Sequence, residues 1–275
     1  MSDHCAARIL FLVLACPFAC QGVESADRPP IELAVIQAFK VPGPVGQLRA
    51  IPVEIGNGKK AIFVAYSADK DIDPYIEMFY APTDNVKFYC FGLDGALLWK
   101  KEARPSLING IWFCPIFPFD MDQNGIDEIY YVTNVDPHHL LAYSKFRLCG
   151  MNARDGDEIG LWPWARAEWS TLSHTFRNFI MGGRVAGKPV LVTAQGTYGR
   201  MTLQGWHPGM SQRWEIAIEA DAPGARGSHQ SPIVDMDGDG IDELIWGERR
   251  IELDKGRTLW IGDHKSYNGH SDVIQ

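Results

Sequence analysis

The chain alternates short runs of strand-forming residues with polar turns, and no stretch sustains the apolar period of an amphipathic helix. Runs such as KAIFVAY, KFYCFGL, EIYYVTN and SKFRLCGM are rich in β-branched and aromatic residues. Such residues favour strands, and the glycine- and aspartate-containing segments between them favour turns. The pattern predicts an all-β protein.

A turn followed by a tryptophan recurs along the chain. It ends GLDGALLW, ARDGDEIGLW, GWHPGMSQRW and ELDKGRTLW, at Trp99, Trp162, Trp214 and Trp260. The spacings of 63, 52 and 46 residues fit one four-stranded unit per repeat, which is typical of a β-propeller blade. A β-sandwich, the alternative, does not predict this recurrence.

The repeat divides the chain into blades at about residues 45–101, 107–164, 173–216 and 228–262. The final GHSDVIQ resembles the first strand of a fifth blade. We therefore expect a β-propeller of four-stranded blades that is incomplete, with about four blades and the start of a fifth.

The N-terminal segment has the composition of an export signal. Residues 9–15 (ILFLVLA) form an apolar run that follows Arg8 and is too short to span a bilayer. We expect residues 1–26 to be a signal peptide, residues 27–275 to be the partial propeller, and no transmembrane segment to remain. The mature protein would be secreted, periplasmic or at the cell surface. A lipobox-like reading of residues 13–16 (VLAC) gives a lipoprotein instead.

Charge and cysteine content exclude two further classes of protein. The net charge of −8 argues against a nucleic-acid-binding protein, which usually carries a basic face. After removal of the leader, Cys90, Cys114 and Cys149 remain, an odd number that indicates buried free thiols rather than a disulfide framework. We expect a monomer.

Two acidic loops, DMDQNGIDE (residues 120–128) and DMDGDGIDE (235–243), lie between predicted first and second strands. Alternating carboxylates with a glycine suit Ca²⁺, but Trp246 stands where an EF-hand needs glutamate. We expect structural calcium at the far end of the propeller from its channel mouth, or else plain solvated turns. The predicted ligands are Asp235, Asp237, Asp239 and Asp242, and less tightly Asp120, Asp122, Asn124 and Asp127.

The opposite end collects histidines and arginines. His174, His229 and His270 each precede an innermost strand, so three successive blades would direct an imidazole toward the channel mouth. The connections at this end add Asp136, His138, His139, Tyr198, Glu248, Arg249 and Arg250, with Arg177 and Asn178 one step down the wall from His174. A zinc site formed by the three repeated histidines is an alternative.

Several strings resemble secreted β-propeller polysaccharide lyases of the ulvan lyase type and, more distantly, propeller rhamnogalacturonan lyases. They are FCPIFPFDMDQNGIDEIYYVTNVDP, LSHTFRNFIMGG, PVLVTAQGTYGRMTLQGW, GARGSHQSPIVDMDGDGIDELIWGER and YNGHSDVIQ, within residues 107–275. Such enzymes cleave acidic, uronate-containing and in some cases sulfated polysaccharides by β-elimination.

The resemblance implies roles for this end of the molecule. Tyr198 and His174 would transfer protons, with His139 or His229 assisting. Arg177 or Arg249 would hold the substrate carboxylate, and Asn178 and His270 would contact the substrate. A non-catalytic, calcium-stabilised carbohydrate-binding or adhesion propeller of the integrin-like type is the alternative.

Overall fold

The computed structural model describes residues 34–75, 79–165, 171–224 and 227–262, and the backbone course of residues 8–10. Strand β1 (Arg8–Leu10) pairs antiparallel with β2 (Ala38–Lys40). The remaining described strands form four four-stranded antiparallel sheets, and each sheet runs through its strands in chain order. The predicted all-β class is confirmed, as is the division into four units.

The strand bounds show one meander per predicted unit. Sheet 1 contains β3 (Gln47–Glu54), β4 (Lys60–Ser67), β5 (Lys87–Gly92) and β6 (Leu97–Glu102). Sheet 2 contains β7 (Ile116–Phe119), β8 (Glu128–Asn134), β9 (Phe146–Asn152) and β10 (Glu158–Pro163). Sheet 3 contains β11 (Asn178–Val185), β12 (Lys188–Gln195), β13 (Met201–Trp206) and β14 (Gln212–Ile218). Sheet 4 contains β15 (Ile233–Val234), β16 (Glu243–Trp246), β17 (Arg249–Glu252) and β18 (Thr258–Ile261).

Helix is scarce in the described ranges. A 3-10 turn covers Tyr143–Lys145, and the single described α-helix, α1, covers Leu172–Thr175. The described residues include no helix long and apolar enough to cross a membrane.

Successive sheets pack face to face through three separate apolar cores. Phe63 and Phe88 of sheet 1 meet Tyr131 of sheet 2 in the first core. The second core joins sheets 2 and 3, and the third joins sheets 3 and 4. Because sheets 2 and 3 are covered on both faces, their central strands are nearly continuous runs of buried residues: β8 is buried at every position.

The repeated tryptophans occupy the fourth strand of each sheet, as predicted. The Trp99 indole N–H donates to the carbonyl of Ala153 in the next sheet, at 2.9 Å. Trp214 donates in the same way to Leu253, at 2.8 Å. Trp162 packs against Gly150 of its own sheet, and Trp260 is 63% exposed.

The three cysteines behave as predicted. Cys90, Cys114 and Cys149 are free and buried in the core between sheets 1 and 2. Burial raises the pKa of Cys90 and that of Cys149 to about 12. Such thiols are poor nucleophiles, because the reactive thiolate is scarce at neutral pH.

Candidate functional site

The predicted histidines and tyrosine lie at one end of the four sheets. In an antiparallel meander, the start of the first strand and the connection from the second to the third strand lie at the same end. His174 and His229 precede β11 and β15, and Tyr198 lies in the β12–β13 connection, as predicted. These residues therefore share an end, which we call the cluster end.

Arg177 is the centre of this end. It is 2% exposed, and its guanidinium lies over the ring of Trp112, with the central carbon 4.7 Å from the ring centroid. Its Nε donates to the Ser173 hydroxyl and its Nη2 to the Asp73 carboxylate, both at 3.4 Å. Its Nη1 is buried and makes no hydrogen bond with any described residue. A buried guanidinium with an unused donor is expensive unless a ligand supplies an acceptor.

His174 and Tyr198 lie beside this guanidinium. The Thr171 hydroxyl caps α1 by accepting from the backbone N–H of His174, which fixes the start of the turn that carries the imidazole. The imidazole and phenol ring centroids are 5.9 Å apart, and the phenol ring centroid is 5.7 Å from the central carbon of Arg177. The three side chains form one contiguous group.

Tyr198 reaches this group through an unusual backbone conformation. Its φ is 67°, in the left-handed region that costs a non-glycine residue on the order of 1 kcal/mol. The following Gly199 lies so close to His174 that a Cβ there would be 3.1 Å from Nδ1. The TYG sequence therefore permits a close approach between this connection and the imidazole.

His229 joins the group from sheet 4. Its ring centroid is 4.7 Å from that of Trp112, which also contacts Arg177 and Phe179. Trp112 thus connects the segment before the first strand of sheet 2 with the segments before the first strands of sheets 3 and 4. The structure brings together four of the predicted site residues: His174, Arg177, Tyr198 and His229.

The other predicted residues do not join this group of side chains. His139 is exposed in the β8–β9 connection, where its carbonyl accepts from Asn134. Asn178 is buried, and its amide accepts from Trp164 and donates to Phe113. Arg249 donates to Pro223 and Thr258, and burial lowers its pKa. His270 lies outside the described residues, as does the tail GHSDVIQ, so the zinc alternative and the fifth blade stay predictions.

Trp112 and Asp73 were missed by the sequence reasoning. A positional signal exists for Trp112, because it lies four residues before its first strand, as do His174 and His229. Counting back from each predicted first strand would have found it. Asp73 comes from the β4–β5 connection of sheet 1, and no repeated motif marks it.

The acidic loops lie at the other end, between the first and second strands of sheets 2 and 4, as predicted. We call this the acidic end. The Asp120 carboxylate accepts from the backbone N–H groups of Asn124 and Gly125, and Asp235 accepts from those of Gly238, Asp239 and Gly240. These bonds, led by that from Gly240, lower the pKa of Asp235. The aspartates shape their own turns.

The last aspartate of each loop binds the preceding sheet. Asp127 accepts from the N–H of Glu54 at 2.7 Å, and Asp242 from that of Arg184 at 2.6 Å. Glu54 and Arg184 lie at the ends of the first strands of sheets 1 and 3. Each loop therefore fastens its own sheet to the sheet before it.

The two loops differ in how a buried glutamate is compensated. Glu128 is 7% exposed, and burial, helped by Asp122, Asp120 and Asp127, raises its pKa to about 7. Its counterpart Glu243 is 1% exposed and pairs with Arg250 at 2.8 Å. Arg250 also pairs with Asp237, so its expected place at the cluster end was wrong.

Both loops gather oxygens that suit a hard cation. The ligand atoms of Asp120, Asp122 and Glu128 lie within 4.8 Å of one another, as do those of Asp235, Asp237 and Asp239. Carboxylate oxygens are the donors that Ca²⁺ prefers, and burial, together with the neighbouring aspartates, raises the pKa of Glu128. The donor sets therefore fit calcium.

No protein-family model matches the chain. It is 23% identical over 226 residues to the rhamnogalacturonan exolyase YesX of Bacillus subtilis (strain 168), a match covering 70% of this chain and 36% of the relative. Over 230 residues it is also 23% identical to the rhamnogalacturonan endolyase YesW of the same strain, covering 70% and 35%. The chain spans little more than a third of the length of these relatives.

Solved structures give a consistent result. The rhamnogalacturonan lyase YesW superposes with a TM-score of 0.68 at 18% identity, covering 77% of this chain and 41% of the other. The exotype lyase YesX gives 0.65 at 20% identity, covering 77% and 40%. A rhamnogalacturonan lyase from Bacillus licheniformis gives 0.65 at 21% identity, covering 77% and 41%. At these identities, the likeness establishes a shared fold.

Proposed function

We propose that this chain forms part of a polysaccharide lyase that cleaves an acidic, pectin-type polysaccharide by β-elimination. The observation that carries the proposal is the buried guanidinium of Arg177, which lies beside Tyr198 and His174 and whose Nη1 has no hydrogen-bond partner among the described residues. The rhamnogalacturonan lyases among its relatives and structural neighbours support the same reaction class.

The chemistry assigns a separate task to each side chain. A base removes the proton from carbon 5 of a uronate, the bond from carbon 4 to the glycosidic oxygen breaks, and an acid protonates that oxygen as the double bond forms. Arg177 neutralises the carboxylate on which negative charge develops, because a guanidinium in a low-dielectric site stabilises that charge strongly. Tyr198 and His174 carry the protons, and His229 lies within the same group.

The sheet arrangement supports a radial, propeller-like assembly of blades. Sheets 2 and 3 each pack between two neighbours, and β11 contacts both β7 and β15. Ile72, from a sheet 1 connection, enters the core between sheets 2 and 3. A sandwich has two facing sheets and does not predict this convergence of four. The converging strand ends would form the mouth in which the substrate binds.

Calcium at the acidic end is part of the proposal. Asp120, Asp122 and Glu128 would hold one ion, with Asn124 and Asp127 adjoining, and Asp235, Asp237, Asp239 and Asp242 would serve the second loop. A bound cation would compensate the clustered carboxylates of a loop that fastens one sheet to another. Its role is stability, at the opposite end from the cluster.

The relatives favour a rhamnogalacturonan substrate over the ulvan suggested by the sequence resemblance. An export signal in residues 1–26 agrees with an enzyme that meets plant polysaccharide outside the cell. Both points are testable on the full chain.

A substrate panel provides the test. Rhamnogalacturonan, homogalacturonan, ulvan and a neutral galactan are incubated with the protein, and unsaturated uronate ends are detected by ultraviolet absorbance and mass spectrometry. We expect unsaturated products from rhamnogalacturonan and none from the neutral galactan. Tight binding of an acidic polysaccharide without cleavage would contradict the lyase and support the binding-protein alternative.

A further inference from the structure

The contact between Asp73 and Arg177 has unusual geometry. The Asp73 carboxylate is 3.4 Å from the guanidinium, whereas a good charge-assisted bond is about 2.7–2.9 Å. The Arg177 side chain is 3% exposed, but that of Asp73 is 47% exposed. The acid therefore touches a deeply buried cation from the solvent side.

Asp73 is held by little else. Within the described ranges, Arg177 is the hydrogen-bonding partner of its carboxylate. By contrast, the neighbouring Asp71 accepts from the Gln47 amide at 2.9 Å and from the backbone N–H of Ile111 at 3.1 Å. The two acids lie in one connection, but only Asp71 is fixed to the protein body. Asp73 can move without breaking other bonds.

Arg177 has other contacts that do not involve Asp73. Its guanidinium lies over the ring of Trp112 and beside that of Tyr198, so we expect it to stay in place when Asp73 leaves. Withdrawal of Asp73 frees Nη2, and no described residue supplies an acceptor to Nη1. Two donors on one guanidinium match the two oxygens of a carboxylate.

We propose that Asp73 is a displaceable counter-ion, which occupies the carboxylate position at Arg177 until the uronate of the substrate replaces it. The inference rests on the proposed function, in which Arg177 binds that uronate. Asp73 then selects for free uronates: a methyl-esterified or neutral sugar brings no charge to replace the aspartate, so the aspartate stays.

The consequence for affinity has a definite sign. The apparent affinity equals the intrinsic affinity of Arg177 for the uronate multiplied by the fraction of molecules in which Asp73 has moved away. Since the contact is long and its acid is half-exposed, Asp73 is a weak competitor, and we expect Asp73→Asn to tighten the binding of a free uronate by about two- to tenfold. An aspartate that merely positions Arg177 predicts the opposite, a loss of affinity.

The probe is D-galacturonate, titrated calorimetrically at pH 7 into the full chain, with D-galactose as the uncharged comparison. The variants are Asp73→Asn, Asp73→Glu and Arg177→Gln. Asp157→Asn is the matched control, because Asp157 also faces a cation at 3.4 Å, Lys101, away from the cluster. Thermal melting of every variant checks that it is folded.

We expect Asp73→Asn to bind galacturonate more tightly, Asp73→Glu and Asp157→Asn to match the unmodified chain, and Arg177→Gln to lose binding. Galactose should not distinguish Asp73→Asn from the unmodified chain. Unchanged or weaker galacturonate binding by a folded Asp73→Asn overturns the inference. If the unmodified chain cleaves acidic polysaccharide while Asp73→Asn binds no better, the inference alone fails. If the unmodified chain neither binds galacturonate nor cleaves acidic polysaccharide, the proposed function fails together with the inference.

Discussion

The two ends of the sheets use charged side chains in opposite ways. At the acidic end, carboxylates accept hydrogen bonds from backbone N–H groups, and through these bonds Asp127 and Asp242 join one sheet to the next. At the cluster end, the buried Arg177 has a donor, Nη1, that no described residue accepts from, and the half-exposed Asp73 contacts it at 3.4 Å. A charged group whose hydrogen bonds are all made stabilises the packing of the sheets, whereas one with an unpartnered donor can bind a ligand. The comparison predicts that the two ends can be damaged independently.

The acidic end contains a second contrast. Arg250 compensates Glu243 in sheet 4, and strand pairing puts Gly150 at the equivalent position of sheet 2. A side chain at Gly150 would collide with Trp162, because a Cβ there would lie 2.9 Å from the indole. Packing of Trp162 against Gly150 within sheet 2 therefore leaves Glu128 without a cationic partner among the described residues. This reverses the relative strength predicted from sequence: we expect residues 120–128 to depend more on calcium.

The largest expected effect is at the cluster end. Tyr198→Phe removes one hydroxyl and should lower turnover on the order of 10²-fold or more if that hydroxyl transfers a proton. His174→Ala should be comparably damaging. Steady-state rates on the best substrate provide the measurement, and melting temperatures should stay close to that of the unmodified chain. Full activity in both variants would put the reaction elsewhere.

Calcium should act at the other end. A cation that binds only the folded state adds about 2.7 kcal/mol at a hundredfold excess over its dissociation constant. Chelation should therefore lower the melting temperature, and Glu128→Gln should show a smaller response to chelator. Equal chelator responses in Glu128→Gln and the unmodified chain would place the important ion outside residues 120–128.

Without calcium, Glu128 should make stability depend on pH. Its pKa rises from 4.5 to about 7 on folding, so between these values the folded state holds a proton that the unfolded state releases. The contribution of Glu128 to stability is fully present below about pH 4.5 and is lost as the pH rises to about 7, a change on the order of 3 kcal/mol. Urea unfolding in chelator across this range measures the slope. In Glu128→Gln this part of the slope should vanish.

The smallest predicted effect concerns the fastening of one sheet to the next. Asp242→Ala removes the acceptor for the Arg184 N–H and should cost about 1–2 kcal/mol of unfolding free energy. Asp155→Ala is the control, because among the described residues its carboxylate accepts only from the backbone N–H of Asp157, within its own turn. Denaturant titration compares the two, and equal losses would show that the inter-sheet bond has no special weight.

The repeated parts of the molecule could be predicted from sequence, because the same short motif forms the same turn or loop through short-range bonds in each repeat. The turn before Trp99 and Trp214 places each indole on a fourth strand, and the acidic loops shape their own backbone through short-range bonds. Arg250 was misplaced because a strand residue reaches either end of its sheet depending on its partners. Asp73 was missed because its contact with Arg177 joins residues 104 positions apart across sheets 1 and 3. Only the folded arrangement reveals such a pair.

The independence of the two ends is tested most directly by comparing Tyr198→Phe with Asp242→Ala. The rate of unsaturated product release is measured for both at a temperature where both are folded, on the same acidic polysaccharide. We predict a loss on the order of 10²-fold or more for Tyr198→Phe and a rate within about threefold of the unmodified chain for Asp242→Ala. Equal losses in the two variants, or a larger loss in Asp242→Ala, would contradict the division between a catalytic end and a structural end.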